Sequence, residues 1–236
     1  MTSIDAIINR QLLKWELQRK KEAEETPERP QPPPIVTVSR QKGSRGSYFA
    51  SRLSERLGYQ RLHREVIDTI CQSSGYRKRI IESLDNNFRG GLELMVESLF
   101  TGQSVDHYDY FKHMCRTVLS MSRLGGVVVV GRGGNFILGL KRGFHIRFIA
   151  PEWKRVENLV KYKQMNEADA VRLVESSDNS RRDFIRKLFN ADIDDPNHYD
   201  LVINSIYIDI EELLDTTMTA VKGKLDKLTF LEHDTI

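Results

Sequence analysis

The segment IVTVSRQKGSRGSYFASRLSERLG, residues Ile35–Gly58, decides the fold of this 236-residue chain. Strand-forming residues run into a turn rich in glycine and serine, and an amphipathic helix follows directly. This order is typical of a phosphate-binding loop, because backbone N–H groups converge at a helix N-terminus, where the helix dipole also favours an anion. The segment therefore predicts a binding site for the phosphates of a nucleotide.

The loop departs from the full phosphate-binding pattern G-x-x-x-x-G-K-[ST]. Arg40 and Arg45 stand at the two glycine positions, and Gly46 stands at the lysine position. Ser47 keeps the last position, whose hydroxyl touches Mg²⁺ in the full pattern, although a plain helix cap would explain this serine equally well. Lys42 or Arg45 could replace the missing lysine, and a side chain at position 45 could also crowd the phosphate. The expected phosphate contacts are Lys42, Gly43, Ser44, Arg45, Gly46 and Ser47.

The composition is that of a globular protein and argues against several functional classes. Charged residues make up 29% of the chain and apolar residues 39%. The net charge of +3 is too small to indicate a nucleic-acid binder. No apolar run reaches the roughly 18–20 residues of a membrane span, and early charges interrupt any signal peptide. Together with two cysteines in no pairing motif, these features predict a cytoplasmic protein that binds neither nucleic acid nor membrane.

The chain beyond the loop alternates between strand and helix patterns. Helical periodicity fills the intervals between the strands, so the sequence predicts an α/β fold with a parallel sheet flanked by helices. Gly90-Gly91 predicts a helix break, which suits either a hinge or a simple loop. The predicted strands are Ile35–Ser39, Gln60–Leu62, Val127–Val130, Phe144–Ile149 and Leu201–Asn204.

Residues 1–34 predict an amphipathic helix followed by a proline-rich linker. Apolar residues such as Ile8, Leu12 and Trp15 recur at helical spacing, and the sequence TPERPQPPP favours an extended chain. The helix either packs on its own core or forms an arm that pairs with a second copy in a homo-oligomer. The main domain then spans residues 35–225, and residues 226–236 form a tail.

Four segments, in this order, resemble the cytidylate kinase-like family, a branch of the P-loop nucleoside monophosphate kinases. The resemblance implies a five-stranded parallel sheet, a helical acceptor-binding insertion at about residues 63–124 and a lid at about residues 166–197. It also implies phosphoryl transfer from ATP, with Mg²⁺, to a nucleoside monophosphate such as CMP or dCMP, or to a related small phosphorylated acceptor. The segments are Val36–Gly46, His63–Gly75, Val127–Leu138 and Asp178–Asn204.

The resemblance also implies roles for individual cations, since phosphoryl transfer depends on positioning and on positive charge around the transferring group. Arg132, directly after the third strand, would hold the acceptor phosphate, and Gly133 leaves space beside it. In the lid, arginines clamp the phosphoryl group. Arg182 and Arg186 share one helix face, so we expect them to act first and Arg181 third.

Two further residues are candidates for the acceptor site. His63 stands where the family usually has aspartate, and it either contacts the acceptor or caps a helix. Arg89 lies in the predicted insertion, where helical arginines are usually solvated.

Three functions stay open at this point. The first is the kinase. The second is a nucleotide-binding regulatory or scaffold protein with a kinase fold and weak catalysis, because the loop lysine is missing and Val130 replaces the acidic residue expected at the end of the third strand. The third is an oligomeric interaction module in which the N-terminal helix is the working part.

Overall fold

The computed structural model describes residues 3–24, 33–84, 86–99 and 108–233. A short 3₁₀ turn at Pro196–His198 precedes the last strand. The helices and strands, in chain order, are α1 (Ile4–Glu24), β1 (Val36–Arg40), α2 (Gly46–Leu57), β2 (Gln60–Leu62), α3 (Arg64–Gln72), α4 (Ser74–Glu82), α5 (Asn86–Ser98), α6 (Tyr108–Leu124), β3 (Val127–Val130), α7 (Gly134–Leu138), β4 (Phe144–Ile149), α8 (Glu152–Lys163), α9 (Glu167–Phe189), β5 (Leu201–Asn204) and α10 (Ile210–His233).

The five strands form one parallel sheet in the order β2-β3-β1-β4-β5. Val38 of β1 lies opposite Val130 of β3, and Ser39 lies opposite Arg147 of β4. The carboxyl ends of the three central strands therefore meet at one edge of the sheet. The predicted α/β fold with a parallel sheet is confirmed.

The sheet is buried on both faces, as the continuous apolar run of β3 predicts. All four valines of this strand are buried. Val127 and Val129 pack into the core shared with α1, α3 and α6, whereas Val128 and Val130 pack into the core shared with α2 and α10. Alternate residues of one strand thus hold helices on opposite faces.

Helix α1 packs on the core of its own chain, which is the first of the two alternatives for this segment. Leu12 and Trp15 are buried, and the indole N–H of Trp15 donates to the carbonyl of Gly125 over 3.1 Å. Leu13 and Leu17 stay about half exposed. Pairing with a second copy remains a prediction, and residues 25–32 of the proline-rich segment lie outside the described residues.

Two local predictions were wrong. Gly90 and Gly91 lie inside α5 and break no helix, because Leu92 and Val96 bury this helix against the core and outweigh the cost of about 1 kcal/mol per glycine. Helix α10 continues to His233, well into the segment predicted as a tail.

Among the described residues, no helix combines the length and the apolar content that crossing a bilayer requires.

Candidate functional site

A cavity of about 840 Å³ opens at the carboxyl edge of the sheet. Its walls are the ends of β1 and β3, the start of α3 and one side of α9. Ligands of open α/β folds bind at this edge. Two acidic side chains, Glu65 and Asp183, line the cavity beside six basic ones. The basic residues are Arg40, Lys42, Arg64, Arg132, Arg181 and Lys187.

The phosphate-binding loop between β1 and α2 presents free N–H groups. Its carbonyl oxygens are occupied by α8, since Arg155 donates to the carbonyl of Lys42 over 3.5 Å and Asn158 donates to the carbonyl of Gly43 over 2.9 Å. Among the described residues, no acceptor bonds the backbone N–H of Lys42, Gly43, Arg45 or Ser47. Uncapped N–H groups at the head of a helix favour an anion.

Ser44 and Gly46 support the loop from inside. Ser44 is fully buried, and its hydroxyl donates to the carbonyl of Gln41 over 2.9 Å and accepts from the N–H of Gly46 over 3.3 Å. A Cβ added at Gly46 would lie 2.7 Å from the Cβ of Arg40. The lysine of the full pattern therefore does not fit at position 46 while Arg40 stands behind it.

Arg45 does not line the cavity. Its backbone is left-handed with φ of 65°, and its exposed guanidinium lies 5.2 Å from the ring centre of Tyr48 and 5.1 Å from that of Tyr162. Cation–π contacts of this kind hold the side chain against the two tyrosines. Arg45 therefore neither crowds the cavity nor takes the place of the missing lysine in this structure.

Ser47 does not lie in a site suited to a metal ion held by the protein. Mg²⁺ prefers carboxylate and phosphate oxygens, whereas the Oγ of Ser47 is 3.5 Å from the Nε of Arg40. Val130, at the end of the neighbouring strand, has no ligand atom to offer. In the described part of the chain, no three His, Cys, Asp or Glu side chains are placed to bind a metal. The residues around Ser47 do not fit a protein-held Mg²⁺.

Arg132 lies in the turn after β3 and is held by a carboxylate of α3. Its φ is 59°, in the left-handed region. Its Nε donates to Oδ1 of Asp68 in α3 over 2.8 Å, and its Nη2 contacts Oδ2 of the same carboxylate. The Tyr110 hydroxyl donates to Oδ1 of Asp68 over 2.6 Å. Arg132 thus faces the cavity from a geometry set by α3 and α6.

The Asp68 carboxylate is charged because of these partners. Burial by itself would raise the pKa of Asp68, but hydrogen bonds from Arg132 and Tyr110 outweigh burial and lower it. Burial and the bond to Asp68 raise the pKa of Tyr110 in turn. The phenol therefore stays protonated and remains a donor to the pair.

Gly133 allows close packing of α9 against this turn. Its φ is 64°, and a Cβ there would lie 2.7 Å from the ring of Phe189. Gly133 lines the cavity beside Arg132, as the sequence predicts, although the space beside it is filled by α9.

Helix α9 carries the three arginines that the sequence predicts as contacts of the phosphoryl group. Arg181 lines the cavity, and its Nη1 is buried without a hydrogen-bond partner among the described residues. Arg182 is exposed and lies 3.8 Å from Asp194, while Arg186 is exposed and pairs with Asp183. Arg182 and Arg186 thus share an exposed face of α9, whereas Ile185 of the same helix is buried.

His63 and Arg89 lie away from the cavity wall. His63 is the N-cap residue of α3, but its side chain makes no capping hydrogen bond; its Nδ1 lies 2.7 Å from Oε2 of Glu65 instead. Arg89 donates to the carbonyls of Glu82 and Leu84 over 3.2 and 3.1 Å. It therefore closes the C-terminal end of α4 rather than facing a ligand.

Four cavity cations lack an ion-pair partner among the described residues: Arg40, Lys42, Arg181 and Lys187. Burial lowers the pKa of Arg40, Lys42 and Arg181, and repulsion by neighbouring cations lowers it further, to about 10 for Arg181. Glu65 opposes the shift at Arg40 and Lys42. A buried cluster of like charges indicates a site completed by an anion.

The sequence profile of the cytidylate kinase-like family matches residues 35–207, which include every wall of this cavity. The chain belongs to the cytidylate kinase-like family. The match begins at β1, so α1 precedes the part of the chain that defines the family.

Of two curated relatives, one is a cytidylate kinase and the other carries a different activity. A cytidylate kinase of Methanocaldococcus jannaschii is 24% identical over 190 residues, which cover 79% of this chain and 97% of that protein. A uronate isomerase of Corynebacterium glutamicum is 35% identical over 110 residues, 46% of this chain and 21% of that protein. The chain thus spans about a fifth of one curated relative and nearly all of the other.

A solved structure, an uncharacterized protein from Eubacterium ventriosum, has the same fold. It aligns with a TM-score of 0.64 at 15% identity, over 80% of this chain and 98% of that chain.

In this member of the cytidylate kinase-like family, sequence reasoning missed three residues of the site. Arg40 was treated only as a lost glycine, although its place at the end of a central strand indicates the ligand edge. Asp68 could have been suspected, since it is a carboxylate beside the buried positions Val66 and Ile67 of α3. Tyr110 carries no signal, because its contact with Asp68 spans 42 positions of the chain.

Proposed function

We propose that this protein transfers the terminal phosphoryl group of ATP to a small acceptor that already carries a phosphate, with CMP or dCMP as the first candidates. The observation that carries this proposal is the set of unpaired cations in one cavity, between the phosphate-binding loop and the lid helix. The family supports nucleotide kinase activity in general, and the M. jannaschii relative suggests the acceptor class.

The donor would lie along the loop. The free N–H groups of Lys42, Gly43 and Ser47 would bind its phosphates, with Mg²⁺ arriving as part of the donor rather than held by this chain. Arg181 would donate from its unpaired Nη1 to the transferring group, whose charge spreads over the equatorial oxygens in the transition state.

The acceptor would lie on the insertion side of the cavity. Arg132 donates to Asp68 from Nε and Nη2. Its Nη1 would be left to donate to a phosphate oxygen of the acceptor. Arg182 and Arg186, which lie outside the cavity wall, would reach a ligand only after a movement of α9. His63 and Arg89, which lie away from the cavity wall, would affect the acceptor only indirectly, by holding the insertion in place.

A weakly catalytic nucleotide-binding regulator is the second candidate. Val130 at the end of β3 and the Asp68 carboxylate that already neutralises Arg132 favour it. Such a protein would keep the loop and its cations and bind ATP without passing its phosphate on.

The deciding experiment measures ADP production from ATP and Mg²⁺ with a panel of nucleoside monophosphates and small phosphorylated metabolites. Arg132→Ala should lower kcat/KM by at least about 100-fold, while Arg172→Ala, an exposed arginine of α9, should not. Turnover of an acceptor other than CMP or dCMP would identify a different substrate and still support the proposed phosphoryl transfer. ATP binding without turnover of any acceptor would select the regulator.

The reaction would take place in the cytoplasm, where ATP and nucleoside monophosphates are found. The domain limits of 35–225, with an insertion at about 63–124 and a lid at about 166–197, remain proposals, as does a homo-oligomer formed through α1.

A further inference from the structure

Arg40 joins the two halves of the phosphate edge. It ends the central strand β1, and its Nε lies 3.5 Å from the Oγ of Ser47 at the start of α2. Its Nη1 lies against the end of β3, where a Cβ added at Gly131 would approach it to 2.9 Å. The guanidinium therefore fills the space between the helix head and the neighbouring strand end.

This space is where a loop of the full pattern would place a metal ion on its serine. In this chain a fixed positive charge already occupies it. A divalent cation bound to the Oγ of Ser47 would stand beside the guanidinium and be repelled by it. Neither Val130 nor any described group of three acidic, histidine or cysteine side chains offsets that repulsion.

The charge on Arg40 is part of a cluster. Lys42 and Arg181 line the same cavity and repel Arg40 and each other. Glu65 is the carboxylate that attracts Arg40, but its Oε2 is already bonded to His63. The cluster thus carries more positive charge than the described side chains around it neutralise, and an anion of several charges would relieve it.

We propose that Arg40 takes over the roles of the missing loop lysine and of a serine-bound metal ion, so that the site binds the polyphosphate end of a nucleoside triphosphate without needing a divalent cation. The identity of the ligand as a nucleoside triphosphate rests on the proposed function. The metal-independent polyphosphate site rests on the position of Arg40 and on the excess positive charge of the cluster around it.

The test is calorimetric binding of ATP and of inorganic tripolyphosphate, each in EDTA and with excess Mg²⁺. Both should bind in EDTA, and Mg²⁺ should strengthen ATP binding by less than about threefold. Arg40→Gln should weaken both ligands at least about tenfold, whereas Arg172→Gln should leave them unchanged. Without ligand, Arg40→Gln should also raise the melting temperature, because it removes a partly buried charge that has no ion-pair partner among the described residues.

Each other outcome has a defined meaning. Gain of more than about threefold in ATP affinity on adding Mg²⁺, or binding by Arg40→Gln within about tenfold of the wild type, overturns the inference. If Arg40→Gln does not fold, Arg40→Lys must keep binding in EDTA, since it keeps the charge; loss of binding in a folded Arg40→Lys protein also overturns it.

The inference and the proposed function can fail separately. Tight binding in EDTA without turnover of any acceptor would reject the proposed kinase activity and support the metal-independent phosphate site. Turnover with strictly Mg²⁺-dependent ATP binding would support the proposed kinase activity and reject the role proposed for Arg40. Absence of all binding would remove both.

Discussion

Arg132 and Asp68 join the end of β3 to helix α3 through a two-point ion pair, with 2.8 Å between Nε and Oδ1. The side chains are only 12% and 22% exposed, and each belongs to a different part of the fold. A left-handed backbone at Arg132 turns its side chain toward α3. The position of α3 therefore determines where the Arg132 side chain lies in the cavity wall.

Removing the carboxylate should destabilise the fold. Asp68→Ala leaves the largely buried guanidinium of Arg132 without its counter-charge, and we expect a loss of about 3 kcal/mol in the free energy of unfolding. Glu157→Ala removes an exposed carboxylate that pairs with Lys154, so its effect should stay below about 1 kcal/mol. Urea denaturation measures both, and equal effects would contradict a linking role for Asp68.

Stability should fall in mild acid because of His145. The neutral ring accepts from the Thr37 hydroxyl at Nδ1 over 2.8 Å and donates from Nε2 to the carbonyl of Gly139 over 3.0 Å. Burial lowers the pKa of His145 from 6.5 to about 4. The unfolded chain therefore binds the proton first, so the stabilisation is complete above pH 6.5 and is lost as the pH falls toward 4.

The control for this prediction is His145→Gln. This variant should be less stable at neutral pH but should lose less stability between pH 6.5 and 4. Melting temperatures across this range decide the matter, and parallel curves for the two proteins would show that His145 is not the titrating group.

The sequence carried enough information for the sheet because its strands are short apolar runs bounded by glycine and helix patterns. Val127–Val130 and Phe144–Ile149 begin and end where the pattern places them. Helix α7 was not predicted, because its five residues are too few to show a helical period. The Gly90-Gly91 break was wrong because core packing, not local propensity, decides α5.

The candidate site was harder to predict because side-chain direction follows from tertiary contacts. Arg181 and Arg182 are neighbours in sequence and differ by one step of the helix, yet only Arg181 lines the cavity. Which of the two arginines faces the cavity depends on which side of α9 packs against the rest of the protein, and Ile185 is buried on that side. Likewise the outward direction of Arg45 depends on Tyr162 in α8, far along the chain.

Arg45 offers a test of backbone strain. Arg45→Ala removes two exposed cation–π contacts and keeps a side chain in the left-handed region, whereas Arg45→Gly removes the same contacts and relieves the backbone. We expect the glycine variant to be about 1 kcal/mol more stable than the alanine variant. Thermal denaturation of the two compares them directly, and an alanine variant of equal stability would argue against strain at this position.

The packing of α1 can be tested on adjacent residues. Leu12 is fully buried and Leu13 is 54% exposed. Leu12→Ala should cost about 2–5 kcal/mol of unfolding free energy, and Leu13→Ala should change it by less than about 0.5 kcal/mol. If sedimentation shows that Leu13→Ala dissociates an oligomer, the exposed side of α1 is a subunit contact; similar unfolding costs for both variants would contradict the packing of α1 on its own core.

Restoring the loop lysine should fail unless Arg40 is removed as well. Gly46→Lys places a Cβ 2.7 Å from the Cβ of Arg40 and 3.0 Å from that of Phe148, so we expect a loss of about 1–3 kcal/mol in stability. The double variant Arg40→Gly with Gly46→Lys relieves the first contact, and its cost should be less than the sum of the two single changes. Gly75→Ala is the control, because its nearest neighbour is a side-chain oxygen at 3.8 Å. Additive costs in a double-mutant cycle would mean that Arg40 is not the reason why position 46 is glycine.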